Sequence, residues 1–183
     1  MSHAGWRPPG ADETGFASLY RLAKSARCLE QRAFVEAYPV AGLLVHWEGE
    51  AAEVPDTPDS GVQLLTISMH ASGVLRYLNK VAFLCKRKGN PFAHLVSVGR
   101  SNTNDLVIAI DSVSKVHGYF VHRAQGWSFV DRNSTNGSWL NGRKLEPGRH
   151  TVVRNGDELT LGVDVALELL EPASLHERLR REH

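Results

Sequence analysis

Apolar positions along this chain change their period once, near residue 80. Before that point Phe16, Leu19, Tyr20, Ala23, Ala26, Cys28, Leu29, Phe34 and Val35 recur at roughly helical spacing. The spacing predicts a helix over 12–38 with one broad apolar face. Asp12 is a candidate cap for its start, and Pro39 ends it by constraining Tyr38. A buried strand follows over 40–47. Residues 48–61 are acidic and hold Pro55, Pro58 and Gly61, which predicts a mobile loop. A second strand is expected over 63–68 and a short helix over 72–79.

Beyond residue 80 the runs are short and β-like. Strands are expected at 81–87, 93–99, 106–110, 119–123, 127–131, 138–140, 150–153, 158–161 and 165–170. Between them stand turn signals such as Asn136-Gly137, Asn141-Gly142, Pro147-Gly148 and Asn155-Gly156-Asp157. Many short strands joined by Asn-Gly turns predict a mainly β protein with a two-sheet antiparallel β-sandwich. The expected organisation is a disordered leader at 1–11, an α/β extension at 12–80, the sandwich at 81–170 and a charged tail or frayed helix at 171–183. Trp127 and Trp139 are assigned to packing.

Charge changes this picture little. The formal net charge is +1, which gives no general reason to expect nucleic acid or an anionic membrane as partner. Residues 81–170 are mildly cationic, as an anionic ligand or a solvated mixed surface would both allow. Cys28 and Cys85 form no CxxC pair, so a disulfide scaffold or a thiolate metal site is not expected. Both thiols are expected in the core of a cytoplasmic protein. The start has no apolar stretch of signal-peptide type, and no apolar run approaches the ~20 residues of a membrane helix.

The chemistry lies in loops between strands. Gly99-Arg100 stands at a strand end, followed by Asn104-Asp105-Leu106-Val107-Ile108. Ser114-Lys115-Val116-His117 comes next, then Ser134-Thr135-Asn136-Gly137 and Asn141-Gly142. Together they supply a guanidinium, hydroxyls and side-chain amides, groups suited to holding a phosphate and a peptide backbone. A planar guanidinium meets two phosphate oxygens at once. A hydroxyl donates to a third without adding charge, and an asparagine amide both donates to and accepts from a main chain.

In order and spacing these five motifs resemble the forkhead-associated (FHA) domain, a β-sandwich reader of phosphothreonine peptides; the resemblance covers about half the chain. It implies that Arg100, Ser114, Lys115 and Thr135 face the phosphate, with Thr135 alternatively bracing its loop, and that Asn136 pairs with the peptide backbone. It implies supporting roles for Gly99, His117, Gly137 and Asn141. Arg100 could instead pair with Asp105, and Lys115 could be a solvated lysine. His117 has no second ligand at metal spacing, so no metal is expected, nor any other cofactor. Gly118 and Ser138 depart from the family's more usual alanine-like residue and threonine. A preference for phosphothreonine over phosphoserine is also implied, resting on a pocket for one methyl group worth ~0.8 kcal/mol or more.

The resulting expectation is a phosphothreonine-binding adaptor in Ser/Thr kinase signalling, with a phosphothreonine-bearing kinase substrate as partner and no catalytic activity of its own. The alternative is a phosphate-independent interaction scaffold. Residues 12–80 read as a structural cover, or as an effector or dimerisation unit. Their one polar cluster, Ser68, His70 and Ser72, lacks an acid or oxyanion motif, and no hydrolase, zincin or P-loop signature occurs in the sequence. Thr57, between two prolines in the acidic loop, is a candidate phosphosite that could dock into this site of the same or another copy; the alternative is a plain acidic linker.

Overall fold

Alternation of side chains along the strands sorts the apolar residues into two cores, one on each face of a central sheet. The computed structural model describes residues 8–12, 16–46, 80–87 and 95–181. The expected acidic loop, second strand and short helix, with Thr57, lie outside the described residues. The elements are β1 (Phe16–Ser18), α1 (Leu19–Cys28), α2 (Gln31–Ala37), β2 (Gly42–His46), β3 (Lys80–Phe83), β4 (Leu95–Gly99), β5 (Leu106–Val107), β6 (Gly118–Arg123), β7 (Gly126–Asp131), β8 (Ser138–Leu140), β9 (Arg143–Lys144), β10 (Thr151–Val153), β11 (Glu158–Leu161), β12 (Val165–Leu170) and α3 (Pro172–Arg181).

Two sheets form the expected sandwich. One has the order β1-β3-β2-β12-β11-β8-β9, the other β10-β7-β6-β4-β5. Every pairing is antiparallel except β4 with β5. Leu43, Val45, Leu159, Leu161, Leu167 and Leu169 point from the seven-stranded sheet toward Val96, Val98, Phe120 and Phe129 of the other. Their neighbours Leu44, Val81, Phe83 and Leu170 point the opposite way, onto Leu22, Ala26, Phe34, Leu175 and Leu179 of the helices. Period-two alternation with apolar residues on both faces gives three layers: helices, central sheet, outer sheet.

The segment expected as one helix over 12–38 is divided into three elements. Asp12 does not cap a helix; its Oδ1 accepts the Phe16 N–H at 3.1 Å and its own N–H donates to the Phe16 carbonyl at 2.8 Å. This turn leads into β1, where Phe16 enters the sandwich core and Ala17 the helix-side core. Consecutive residues buried on opposite sides are a strand's signature, hidden in the sequence by the helical stripe that starts at Leu19. Extended backbone at Leu29 and Glu30 then separates α1 from α2. With the helix starting at Leu19, its buried stripe is Leu19, Leu22, Ala23 and Ala26, which leaves Tyr20 and Cys28 exposed. Cys85 is half-buried and packs against the helix-side core, so the core expectation fails for Cys28 and holds in part for Cys85.

The central sheet also runs across the boundary expected at residue 80. β2 pairs with β12, Leu43 opposite Leu169, and β3 pairs with β2 and β1. The expected charged tail is a docked helix. Pro172 opens α3, and Leu175, His176 and Leu179 are buried. His176 Nε2 lies 3.0 Å from the carbonyls of Ala26 and Leu29 and donates its proton to these acceptors at the end of α1. Arg178 Nη2 donates to Glu168 Oε2 of β12 at 2.7 Å. No helix among the described residues is long and apolar enough to cross a membrane.

Docking of α3 gives a direct test. Leu175→Ala removes a fully buried side chain from the helix-side core and is expected to cost about 2–5 kcal/mol in urea unfolding. Arg180→Ala, on the exposed face of the same helix, should change stability by no more than about 0.5 kcal/mol. Equal effects of the two would mean the helix is not packed as described.

Candidate functional site

Three loops meet at one end of the sandwich: 100–105 after β4, 108–117 before β6, and 132–137 between β7 and β8. Gly99 permits the first meeting. A Cβ there would lie 2.5 Å from the Lys115 carbonyl oxygen and 2.9 Å from the His117 nitrogen, so any side chain would force the loops apart. With glycine in place, Arg100 N–H donates to the Ser114 carbonyl at 2.9 Å and Ser101 N–H to the Lys115 carbonyl at 3.0 Å. Buried Asn104 adds a clamp, its Nδ2 donating to the carbonyls of Ser101 at 2.8 Å and Lys115 at 2.7 Å.

The Arg100 side chain is exposed and leans along the second loop. Nε donates to the Val113 carbonyl at 3.3 Å, and Nη1 meets Asp111 Oδ1 at 3.4 Å. It does not pair with Asp105. That carboxylate is buried and accepts from Lys86 Nζ at 3.0 Å, Arg87 N–H at 2.9 Å and Ser97 N–H at 2.9 Å. It holds the strands, and the guanidinium is left at the surface.

Ser114 joins the second loop to the third. Its Oγ accepts the Thr135 N–H at 2.9 Å and donates to Thr135 Oγ1 at 3.3 Å. Asn136 Nδ2 donates to the Ser112 carbonyl at 2.9 Å. One amide proton is spent on holding the side chain; the other proton and Oδ1 face no protein partner among the described residues. Lys115 is exposed, and no carboxylate among the described residues pairs with it. Arg100, Ser114, Lys115, Thr135 and Asn136 therefore share one rim. Asn141 does not reach it. At the β8–β9 turn it braces the 154–158 turn, with Nδ2 on Asp157 Oδ1 at 2.8 Å and Oδ1 accepting the Glu158 N–H at 2.9 Å.

Under the rim lies a polar cluster centred on His117, which is fully buried. The Ser114 N–H donates to its Nδ1 at 3.2 Å, so the ring proton sits on Nε2. Nε2 is 3.1 Å from both the Gly137 carbonyl and Ser138 Oγ. Ser138 Oγ in turn donates to Asp131 Oδ2 in a short hydrogen bond. Ser134 gives Asp131 two more, from N–H at 2.8 Å and Oγ at 2.6 Å. Burial lowers the His117 pKa and outweighs the opposing pull of Asp131 and the Gly137 carbonyl. Burial pushes Asp131 up, but the bonds from Ser134 and Ser138, together with His117, outweigh it and hold the carboxyl below its ordinary value. Asp131, Ser134, Ser138 and Asn104 carry this support and were not singled out from sequence for it. The available signal was a polar residue at an inward strand position, as at Ser138.

Among the described residues no group of His, Cys, Asp or Glu is arranged to hold a metal. The rim can donate hydrogen bonds and offer positive charge; it holds no nucleophile paired with a base.

Both pKa shifts make the site acid-sensitive. A His117 kept neutral contributes stability that is complete above its ordinary value of 6.5 and is lost as pH falls below it. Asp131 adds a further loss below 3.8. The imidazole nitrogens of His117 should show the neutral Nε2–H tautomer by NMR at about pH 6, and His117→Asn should flatten the drop in Tm between about pH 7.5 and 5.5. An unchanged slope, or a charged ring at that pH, would contradict this assignment.

A family model for the FHA domain matches residues 96–162. Over 61 residues the chain is 36% identical to the serine/threonine-protein kinase RAD53 of Saccharomyces cerevisiae, covering 33% of this chain and 7% of that protein. Over 73 residues it is 30% identical to the E3 ubiquitin-protein ligase rnf8 of Danio rerio, covering 37% and 15% respectively. The chain thus spans only a small part of the length of these two relatives. Among solved structures, the FHA domain of an Arabidopsis thaliana hypothetical protein superposes with a TM-score of 0.48 at 17% identity, covering 72% of this chain and 85% of that one. Two packed sheets with these loop motifs in this order, and the family match across them, mean that this chain carries an FHA domain.

Proposed function

We propose that this chain is a cytoplasmic phosphothreonine-peptide-binding adaptor whose partner is a substrate of a Ser/Thr kinase. In this reading Arg100, Ser114, Lys115 and Thr135 hold the phosphate and Asn136 pairs with the peptide main chain. The observation that carries it is the position of Ser114, bonded through its carbonyl to Arg100 and through its hydroxyl to Thr135. A phosphothreonine brings about −1.5 to −2 charges and three acceptor oxygens at neutral pH. A rim with one guanidinium, one ammonium and two hydroxyls offers the complementary donors without a catalytic group. The aligned segment of RAD53 is a small part of that kinase, so its catalytic activity is not carried over.

The test is a degenerate phosphothreonine peptide library, followed by a matched threonine and phosphothreonine pair of the selected sequence. Only the phosphorylated peptide should bind. Arg100→Ala should weaken it by about 10- to 100-fold, the loss of a charge-assisted contact. Arg100→Lys should fall between, since an ammonium cannot meet two oxygens in a fork. Equal binding of both peptides would sink the reading and favour the phosphate-independent scaffold.

A further inference from the structure

Lys144 is an exposed cation on the β8–β9 hairpin, beside the third loop of the rim. Arg32, Lys80, Lys86, Arg149 and Arg178 each stand within 3.3 Å of a carboxylate oxygen. Lys144 has no carboxylate partner among the described residues. Its ammonium instead lies over the Trp139 ring, 5.6 Å from the centroid. The two residues face each other across β8 and β9, so the pairing is built into the hairpin register.

The location matters more than the pairing. The Lys144 side chain crosses Gly137 so closely that a Cβ there would sit 3.2 Å from its Cε, with the Trp139 ring at 3.4 Å. Gly137 directly follows Asn136, and its carbonyl is fixed by His117 Nε2 and by the Gly162 N–H at 3.0 Å. The backbone beside the lysine stem is thus tied to two other parts of the sandwich. An exposed lysine ordinarily loses rotamer freedom when it engages a ligand; contact with the indole reduces that loss. Gly137, against which the lysine stem lies, directly follows Asn136, so the cation stands beside the residue proposed to pair with the peptide main chain. On the Arg100 part of the rim, the exposed carboxylate of Asp111 repels a second anion.

We infer that Trp139 and Lys144 form a second anion subsite, which takes a carboxylate or second phosphate on the same peptide that carries the phosphothreonine. The inference rests on the proposed reading and goes beyond it by assigning the ligand a flanking negative charge. Lys144 is the binding group and Trp139 its positioning residue.

The experiment uses the full chain and phosphothreonine peptides that differ at one flanking position, moved along the sequence, carrying Gln, Glu or phosphoserine. Binding is read by fluorescence anisotropy at about 50 mM and about 300 mM salt. At low salt one flanking position should favour Glu or phosphoserine over Gln by about two- to fivefold, and the gap should shrink at high salt. Lys144→Met keeps a stem over the indole and removes the charge; it should abolish the gap while leaving the Gln peptide unaffected. Lys144→Glu should reverse it. A gap that survives in Lys144→Met, or no gap at any position, overturns the subsite while preserved discrimination between phosphothreonine and threonine leaves the proposed reading standing. Loss of that discrimination in the unaltered chain overturns both. Whether Glu or phosphoserine gives the larger gain identifies the source of the anion.

Discussion

One neutral imidazole ties the working end of this sandwich together. His117 donates its backbone N–H to Val98 and accepts the Arg132 N–H at its carbonyl. Its ring accepts from Ser114 and reaches Gly137 and Ser138. Four separate stretches of chain are bonded to a single residue with no access to water. Such a cluster is worth having only when every member is satisfied, because an unpaired buried polar group costs its full desolvation. The directions agree throughout: Ser114 gives a proton to Nδ1, Nε2 gives one toward Ser138, and Ser138 gives one to Asp131. A charged ring would present a donor to the Ser114 N–H and break the chain of bonds at its first link.

This buried cluster explains why the rim above it can be polar and exposed yet ordered. Arg100 and Thr135 each make two such bonds to the loop 108–117 and Asn136 makes one, and all three keep further donors for solvent or ligand. Groups already held in place lose less freedom on binding, which is where affinity is usually forfeited. The sheets supply the fixed ends of the loops. The helical layer serves the same purpose at one remove, because β2 and β3 are buried on both faces only when α1, α2 and α3 cover them.

The sandwich and the rim were legible in the sequence for different reasons. Strands such as β8, β11 and β12 coincide with the runs expected at 138–140, 158–161 and 165–170, since alternation and Asn-Gly turns are local signals. The rim residues were legible through ordered motifs, whose positions in sequence reflect loops that meet in space. What was not legible depends on tertiary partners. Three residues of β1 are strand only because β3 is beside them, although helical spacing surrounds them. The helix α3 reads as charged tail until Leu175, His176 and Leu179 are seen against α1 and α2. Gly118, noted as a departure from the usual residue, is required here: a Cβ at that position would overlap the Phe129 ring. Asp131 looked like an ordinary strand end, and its role needed the coordinates of Ser134, Ser138 and His117 together.

The charge on the rim also bears on how such a site discriminates. With the buried imidazole neutral, the described rim presents Arg100 and Lys115 as cations, and Asp111 offsets part of Arg100. The chain as a whole has a formal charge of only +1. On the proposed reading, recognition has to come from donor geometry: two oxygens on a guanidinium, others on hydroxyls, and a main chain on an asparagine amide. A free phosphate satisfies the first part and an unmodified peptide the last. Only a phosphorylated residue within a chain satisfies both, and His117, bonded to Ser114 and to the Gly137 carbonyl, joins the two loops that carry these halves.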